Sequence, residues 1–223
     1  INKAILEERL SPGSKLPPEK MLAEMLGVSR GPVREALGAL RVAGVVEITR
    51  GNGTYISKKI PLAPMAPVLF ALLLQEGSPV EAFELREMLE IGTLEIAINK
   101  FTDKNCQKMQ QTIDELRVTY EKGITNAKLL AQHDVNFHYA FAEATHNPLI
   151  VELTRAFWKG FSFSIQRLMQ SKKDVRGAIE NHTAILQALR AKDINRAREA
   201  VKKAVGDWEI TGIRSKNHSR KNK

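Results

Sequence analysis

From residue 79 to about 211 the apolar positions recur at three- and four-residue spacing, and no run alternates with a period of two, so this stretch reads as helix after helix. The spacing predicts six helices, about 79–100, 103–122, 126–145, 147–170, 174–191 and 193–211, broken by FTD, KGITN, HNP, SKKD and AKD. A seventh is predicted over 65–75. Connections this short place antiparallel neighbours in a bundle. No sequence repeat of fixed period runs through it.

The first 58 residues follow another pattern. INKAILEERL has the face of an amphipathic helix, which SPGSKLPP breaks with clustered glycine and proline. EKMLAEML reads as a second helix, with Pro17 and Pro18 before or at its first turn and Gly27 just past its end. Ser29 is placed to cap a third helix running to about Ala43, in whose first turn Gly31 and Pro32 are tolerated because those amides have no helical partner. VVEIT and TYIS are β-rich runs flanking RGNG, a short hairpin. Helix, helix, turn, helix and hairpin is the order of a winged helix-turn-helix. The expected fold is therefore mainly α: a winged helix over 1–58, a linker and connecting helix over 59–78, an all-α antiparallel bundle over 79–212, and a basic tail over 213–223 that reads as disordered.

Composition narrows the class. With 223 residues, 43% of them apolar, the chain can bury a sizeable core. The longest uncharged apolar run, IPLAPMAPVLFALLLQ, contains three prolines and is too short to span a bilayer. Cys106 has no second cysteine to pair with, which fits a reducing cytoplasm. Ile1 falls inside a helical pattern, so the native start is expected upstream and no targeting peptide can be read. The net charge of +9 is uneven: +4 over residues 1–60, balanced over 61–211, and +5 over 212–223. A polyanion is a plausible partner for the amino-terminal part, because neutralising phosphates releases counterions.

The arginines sharpen that expectation. On the third helix Arg30, Arg34 and Arg41 share one arc, while Val33, Ala36, Leu37 and Leu40 occupy the adjoining one. A recognition helix carries its base-reading side chains in the first turn, where Arg30 and Arg34 lie, and the planar fork of arginine matches guanine O6 and N7. Arg50, at the hairpin tip, could reach a phosphate or the minor groove. The stretch LPPEKMLAEMLGVSRGPVREALGALRVAGVVEITRGNGTYI closely resembles the DNA-binding signature of GntR-type bacterial repressors, in particular the FadR subfamily. That resemblance implies contacts with double-stranded operator DNA from Lys20, Ser29, Arg30, Gly31 and Arg34, with wing contacts from Arg50 and Gly51. At Lys20 the family usually has arginine, and lysine keeps the charge but lacks the fork.

Candidate chemistry in the helical half begins with Asp134 and His138, four apart on a face that also carries Phe137 and Phe141, and His182 in the stripe of Ile179, Ile185, Leu186 and Leu189. A buried carboxylate and imidazoles need one another or a metal. Such a set suits Zn, Ni or Mn, although spacing alone favours a metal-free hydrogen-bonded group. Residues 79–211 resemble the FCD effector-binding domain of FadR-type repressors, whose first three metal ligands match Asp134, His138 and His182. Its fourth histidine is replaced by Ala204, so the resemblance implies either a three-ligand site with an open position or a metal-free pocket. Arg86 falls on the inward arc with Ala82, Phe83, Leu89 and Ala97; Glu90, one turn on, offers a structural pair, and the matching family position faces the effector cavity. The aromatics of FWKGFSFS read as core, with Trp158 able to serve the cavity too. These readings imply a non-enzymatic, homodimeric repressor acting on a palindromic operator and released by a small carboxylate at Arg86, Asp134, His138 and His182. A metal-free sensor of acyl-CoA, a metal-dependent hydrolase and an effector-independent architectural protein are the alternatives.

Overall fold

The computed structural model describes residues 10–58 and 79–220. The chain divides into two compact units, Ile1–Met65 and Ala66–Lys223. In the first, α1 (Glu19–Leu26) and α2 (Arg30–Val42) precede an antiparallel hairpin of β1 (Val46–Thr49) and β2 (Gly53–Ile56). The second contains α3 (Pro79–Lys100), α4 (Asp103–Glu121), α5 (Ala127–Glu143), α6 (Pro148–Gly160), α7 (Ser162–Leu168), α8 (Lys172–Arg190) and α9 (Ile194–Arg220). The fold is the expected one, mainly α, with a small two-stranded wing and a helical bundle. Expected helices over 1–10 and 65–75 lie outside the described residues, apart from Leu10. Among the described residues no helix is long and apolar enough to cross a membrane.

Each boundary in the first unit has a local cause. Gly27 closes α1 at φ 67°, and the amide of Val28 turns back to donate to Ala23 O at 3.1 Å. Ser29 occupies the N-cap of α2 in extended conformation, yet its side chain accepts no capping bond. One of its two usual donors is missing, because Pro32 at the third helical position has no N–H. Leu22, Ala23, Val33, Leu37, Val46 and Ile56 make a small closed core with Leu16. The apolar stripe of α2 is narrower than the sequence suggests, since Ala36 is exposed and Leu40 only half-buried. Val46 pairs with Ile56, so the hairpin register turns both into that core. Residues 14–16 also lie along β2: Leu16 N donates to Thr54 O at 2.7 Å, and Ile56 N donates to Ser14 O at 2.8 Å. A pairing of two or three residues inside SPGSKLPP leaves no periodic signal.

In the second unit the turns between helices supply caps. Thr102 and Asn105 form a capping box at α4; Asn126, Asn147 and Ser171 cap α5, α6 and α8. α4 packs on α5 and α8, and α9 packs on α3 and α8. Leu94, Met109, Ile113, Leu116, Phe137 and Leu189 are fully buried between them. Two expectations are corrected. The single helix expected over 147–170 breaks at Phe161, because Gly160 weakens the helix and the Phe161 ring turns into the core against Phe157, at 4.6 Å between centroids, and Trp208, at 5.6 Å. The tail expected to be disordered from residue 213 instead continues α9 to Arg220, since nothing in GIRSKNHSR after Gly212 forbids helix.

An added Cβ at Gly27 would meet no atom of the described residues within 4 Å, so Gly27→Ala isolates the strain of a left-handed backbone. A loss of about 1 kcal/mol is expected in urea unfolding, with Gly27→Asn losing less.

Candidate functional site

All seven residues nominated for nucleic-acid contact are exposed: Lys20 on α1, Ser29, Arg30, Gly31 and Arg34 around the start of α2, and Arg50 and Gly51 in the hairpin turn. Val33 and Leu37 hold the opposite face of α2 in the core, which fixes the direction of the arginines. Arg34 is not solitary. Its Nε and Nη2 donate to Glu19 Oε2 at 3.3 and 3.2 Å, a contact that sequence spacing gave no reason to expect.

The second unit gathers the other nominated side chains. Arg86 and Glu90 come from α3, Asp134 and His138 from α5, and His182 from α8, all of them buried. Arg86 Nε donates to Glu90 Oε1 at 3.1 Å, and the same oxygen lies 3.0 Å from His138 Nδ1, close in distance though off the hydrogen-bond axis. His138 Nε2 faces Asp134 Oδ2 at 4.0 Å, and His182 Nε2 lies 3.4 Å from Asp134 Oδ1. One continuous polar chain therefore runs from Arg86 through Glu90, His138 and Asp134 to His182. Stacking fixes its rings: His182 lies on Phe137 at 3.8 Å between centroids, His138 on Trp158 at 4.0 Å. The Arg86 guanidinium sits between two indoles, 4.9 Å from Trp158 and 5.0 Å from Trp208.

Burial and charge set the protonation of these groups. Burial alone would raise the Glu90 pKa, but the Arg86 guanidinium and His138 outweigh it and hold the carboxyl at about 2. Burial raises Asp134, against the opposing pull of His138 and Arg86. Burial lowers His182 well below the ordinary imidazole value, aided by His138 and Arg86, so it is neutral at pH 7 and has a lone pair to give. Its Nδ1 is buried with no hydrogen-bond partner among the described residues.

These residues fit a divalent ion. One donor atom each from Asp134, His138 and His182 lies within 4.8 Å of the others. Bonds of about 2.1 Å allow two donors of one ion to be at most about 4.2 Å apart, so the trio is slightly open. Glu90 lies on the far side of His138, 3.0 Å from Nδ1, where a carboxylate could orient a ligating imidazole. Ala204 lines the same space with Ala197 and Val201 buried beside it, so that position offers no fourth ligand.

Asp134 and His182 border a cavity of about 640 Å³, lined also by Arg86, Trp158, Ala204 and Trp208 and, from α7, by Ile165 and Leu168. Sequence reasoning found Arg86, Asp134, His138 and His182 but missed the contact of Glu90 with His138 and both indoles on Arg86. It also missed the rim, where Lys203 Nζ donates to Asn181 Oδ1 at 2.7 Å and to Asp207 Oδ2 at 3.2 Å. The i,i+4 spacing of Lys203 and Asp207 was the available signal.

Comparison with known proteins accounts for both units. Residues 1–56 match the bacterial regulatory proteins of the gntR family, and residues 81–206 match the FCD domain. The Uxu operon transcriptional regulator of Escherichia coli (strain K12) is 35% identical over 164 residues, which are 71% of this chain and 61% of that protein. The HTH-type transcriptional regulator LutR of Bacillus subtilis (strain 168) is 32% identical over 197 residues, 82% of this chain and 84% of that one. Among solved structures, Streptococcus agalactiae GntR superposes with a TM-score of 0.65 at 27% identity, covering 94% of this chain and 95% of its own. The family and these relatives are transcriptional regulators, not enzymes. The chain belongs to the GntR family of bacterial regulatory proteins, with an FCD domain following its winged helix.

Proposed function

We propose that the chain is a cytoplasmic transcriptional repressor of the FadR subfamily that binds a palindromic operator as a homodimer and releases it when a small carboxylate, such as a hydroxy acid or sugar acid, binds beside a divalent metal in the bundle. One recognition helix covers only a half-site, so two copies match a palindrome. The observation that carries the reading is the cavity bordered by Arg86, Asp134 and His182, with His138 completing the donor trio. Its volume of about 640 Å³ suits a small metabolite.

Charge balance supports an acid held with a metal. Four cationic and four acidic side chains line the cavity, and Glu90 already neutralises Arg86, so the protein alone offers an anion no net attraction. A Zn, Ni or Mn ion on Asp134, His138 and His182 would supply that attraction. Ala204 leaves room opposite the trio for an oxygen of the acid. Arg86 spends its Nε on Glu90, which turns the Nη1/Nη2 edge of the fork toward a second carboxylate oxygen. An acid that prefers one arrangement of the protein by about 1–3 kcal/mol changes operator affinity roughly five- to 150-fold.

Three measurements test this reading. In gel-shift titrations against a duplex selected from a random pool, Arg34→Ala is expected to abolish preference for that duplex and to retain weak binding to unrelated DNA; undiminished preference contradicts the contact. Elemental analysis of protein purified without chelator is expected to find about one divalent ion per chain, and His182→Ala is expected to lose it on dialysis. Glu90→Ala, which strands the buried Arg86 charge, is expected to cost roughly 3 kcal/mol in urea unfolding.

A further inference from the structure

We propose that Glu19 is a positioning residue for sequence specificity: its carboxylate braces Arg34 so that the end of the guanidinium fork points at a guanine. The inference rests on the reading above that Arg34 contacts a base. Nε and Nη2 of Arg34 both donate to the single oxygen Oε2 of Glu19, at 3.3 and 3.2 Å. Those two donors form the side edge of the guanidinium. The end edge, Nη1 with the second proton of Nη2, makes no contact among the described residues, and an end-on fork is the geometry that meets guanine O6 and N7 together.

Both anchors of the brace are rigid. Glu19 opens α1, whose Leu22 and Ala23 are buried in the core, and Arg34 lies between Val33 and Leu37 of α2, which are buried in the same core. The Arg34 side chain itself is 70% exposed, so without Glu19 its flexible stem would sample many directions. Arg30, one turn earlier, has no ion pair among the described residues. The brace also acts by repulsion: a carboxylate at the contact face disfavours phosphate and so weakens binding to unrelated DNA.

The test uses the full chain and a duplex selected from a random pool, with each guanine replaced in turn by 7-deazaguanine, which lacks the N7 acceptor. At the guanine read by Arg34 the parent is expected to lose roughly tenfold in affinity, and Arg34→Ala to lose nothing on the same replacement. Glu19→Ala is expected to keep its thermal midpoint, to bind random duplex as tightly as the parent or more so, and to show a penalty reduced to about twofold, since an exposed ion pair is a modest restraint. Glu19→Gln, which retains an oxygen acceptor, should fall between. A full tenfold penalty in Glu19→Ala, alongside none in Arg34→Ala, overturns the brace and leaves the guanine reading standing. A penalty that persists in Arg34→Ala overturns the guanine reading and the brace with it.

Discussion

Glu90 carries a charge that its surroundings oppose, and the bundle is organised around satisfying it. Burial would protonate an isolated carboxyl there, yet Arg86 on one side and His138 on the other hold it ionised, with a pKa of about 2. Arg86 is in turn confined between Trp158 and Trp208, which ties α3 to α6 and α9. His138, stacked on Trp158, carries the polar chain onward to α5, and Asp134 hands it to His182 on α8. Five helices therefore meet at one continuous line of charged and polar groups. Removing one partner of such a buried pair costs more than the pair itself contributes, because the remaining charge cannot be hydrated.

The same line explains why the cavity is suited to sensing. Glu90 cancels Arg86, so Asp134 and two imidazoles remain at the far end, where a neutral His182 has a lone pair to offer. A buried carboxylate beside a neutral base is a poor resting place for charge unless a cation shares it. In the proposed reading, the space left by Ala204 would let an acid reach that cation. The first unit uses the same pairing at its surface, where Glu19 holds the side edge of Arg34 as Glu90 holds the Nε of Arg86. Exposure separates their consequences: the outer pair directs a side chain with little effect on stability, and the inner one is part of the core.

Much of this was legible from residue spacing. The 3.6-residue period found the bundle helices, and the i,i+4 placement of Asp134 and His138 beside Phe137 and Phe141 turned both inward, as found. Arg86 and Glu90 were recognised as a pair for the same reason. What escaped depends on contacts between elements. Gly160 weakens the helix locally, but the break at Phe161 also depends on the packing of its ring on Phe157 and Trp208, which no periodicity reveals. Glu90 reaching His138, and Glu19 reaching Arg34, join residues 48 and 15 apart in sequence, beyond any periodicity. Ser29 sits at the N-cap without a side-chain bond, and the sequence did contain part of the reason, the missing amide of Pro32.

Anomalous diffraction at the metal absorption edges, on crystals of protein purified without chelator, tests the centre of the account most directly. A single peak is expected within about 2.0–2.3 Å of one donor atom from each of Asp134, His138 and His182. Crystals grown with added zinc, nickel or manganese that show no peak there, with Asp134 closed onto His182 by a direct hydrogen bond, would contradict a site built for a cation.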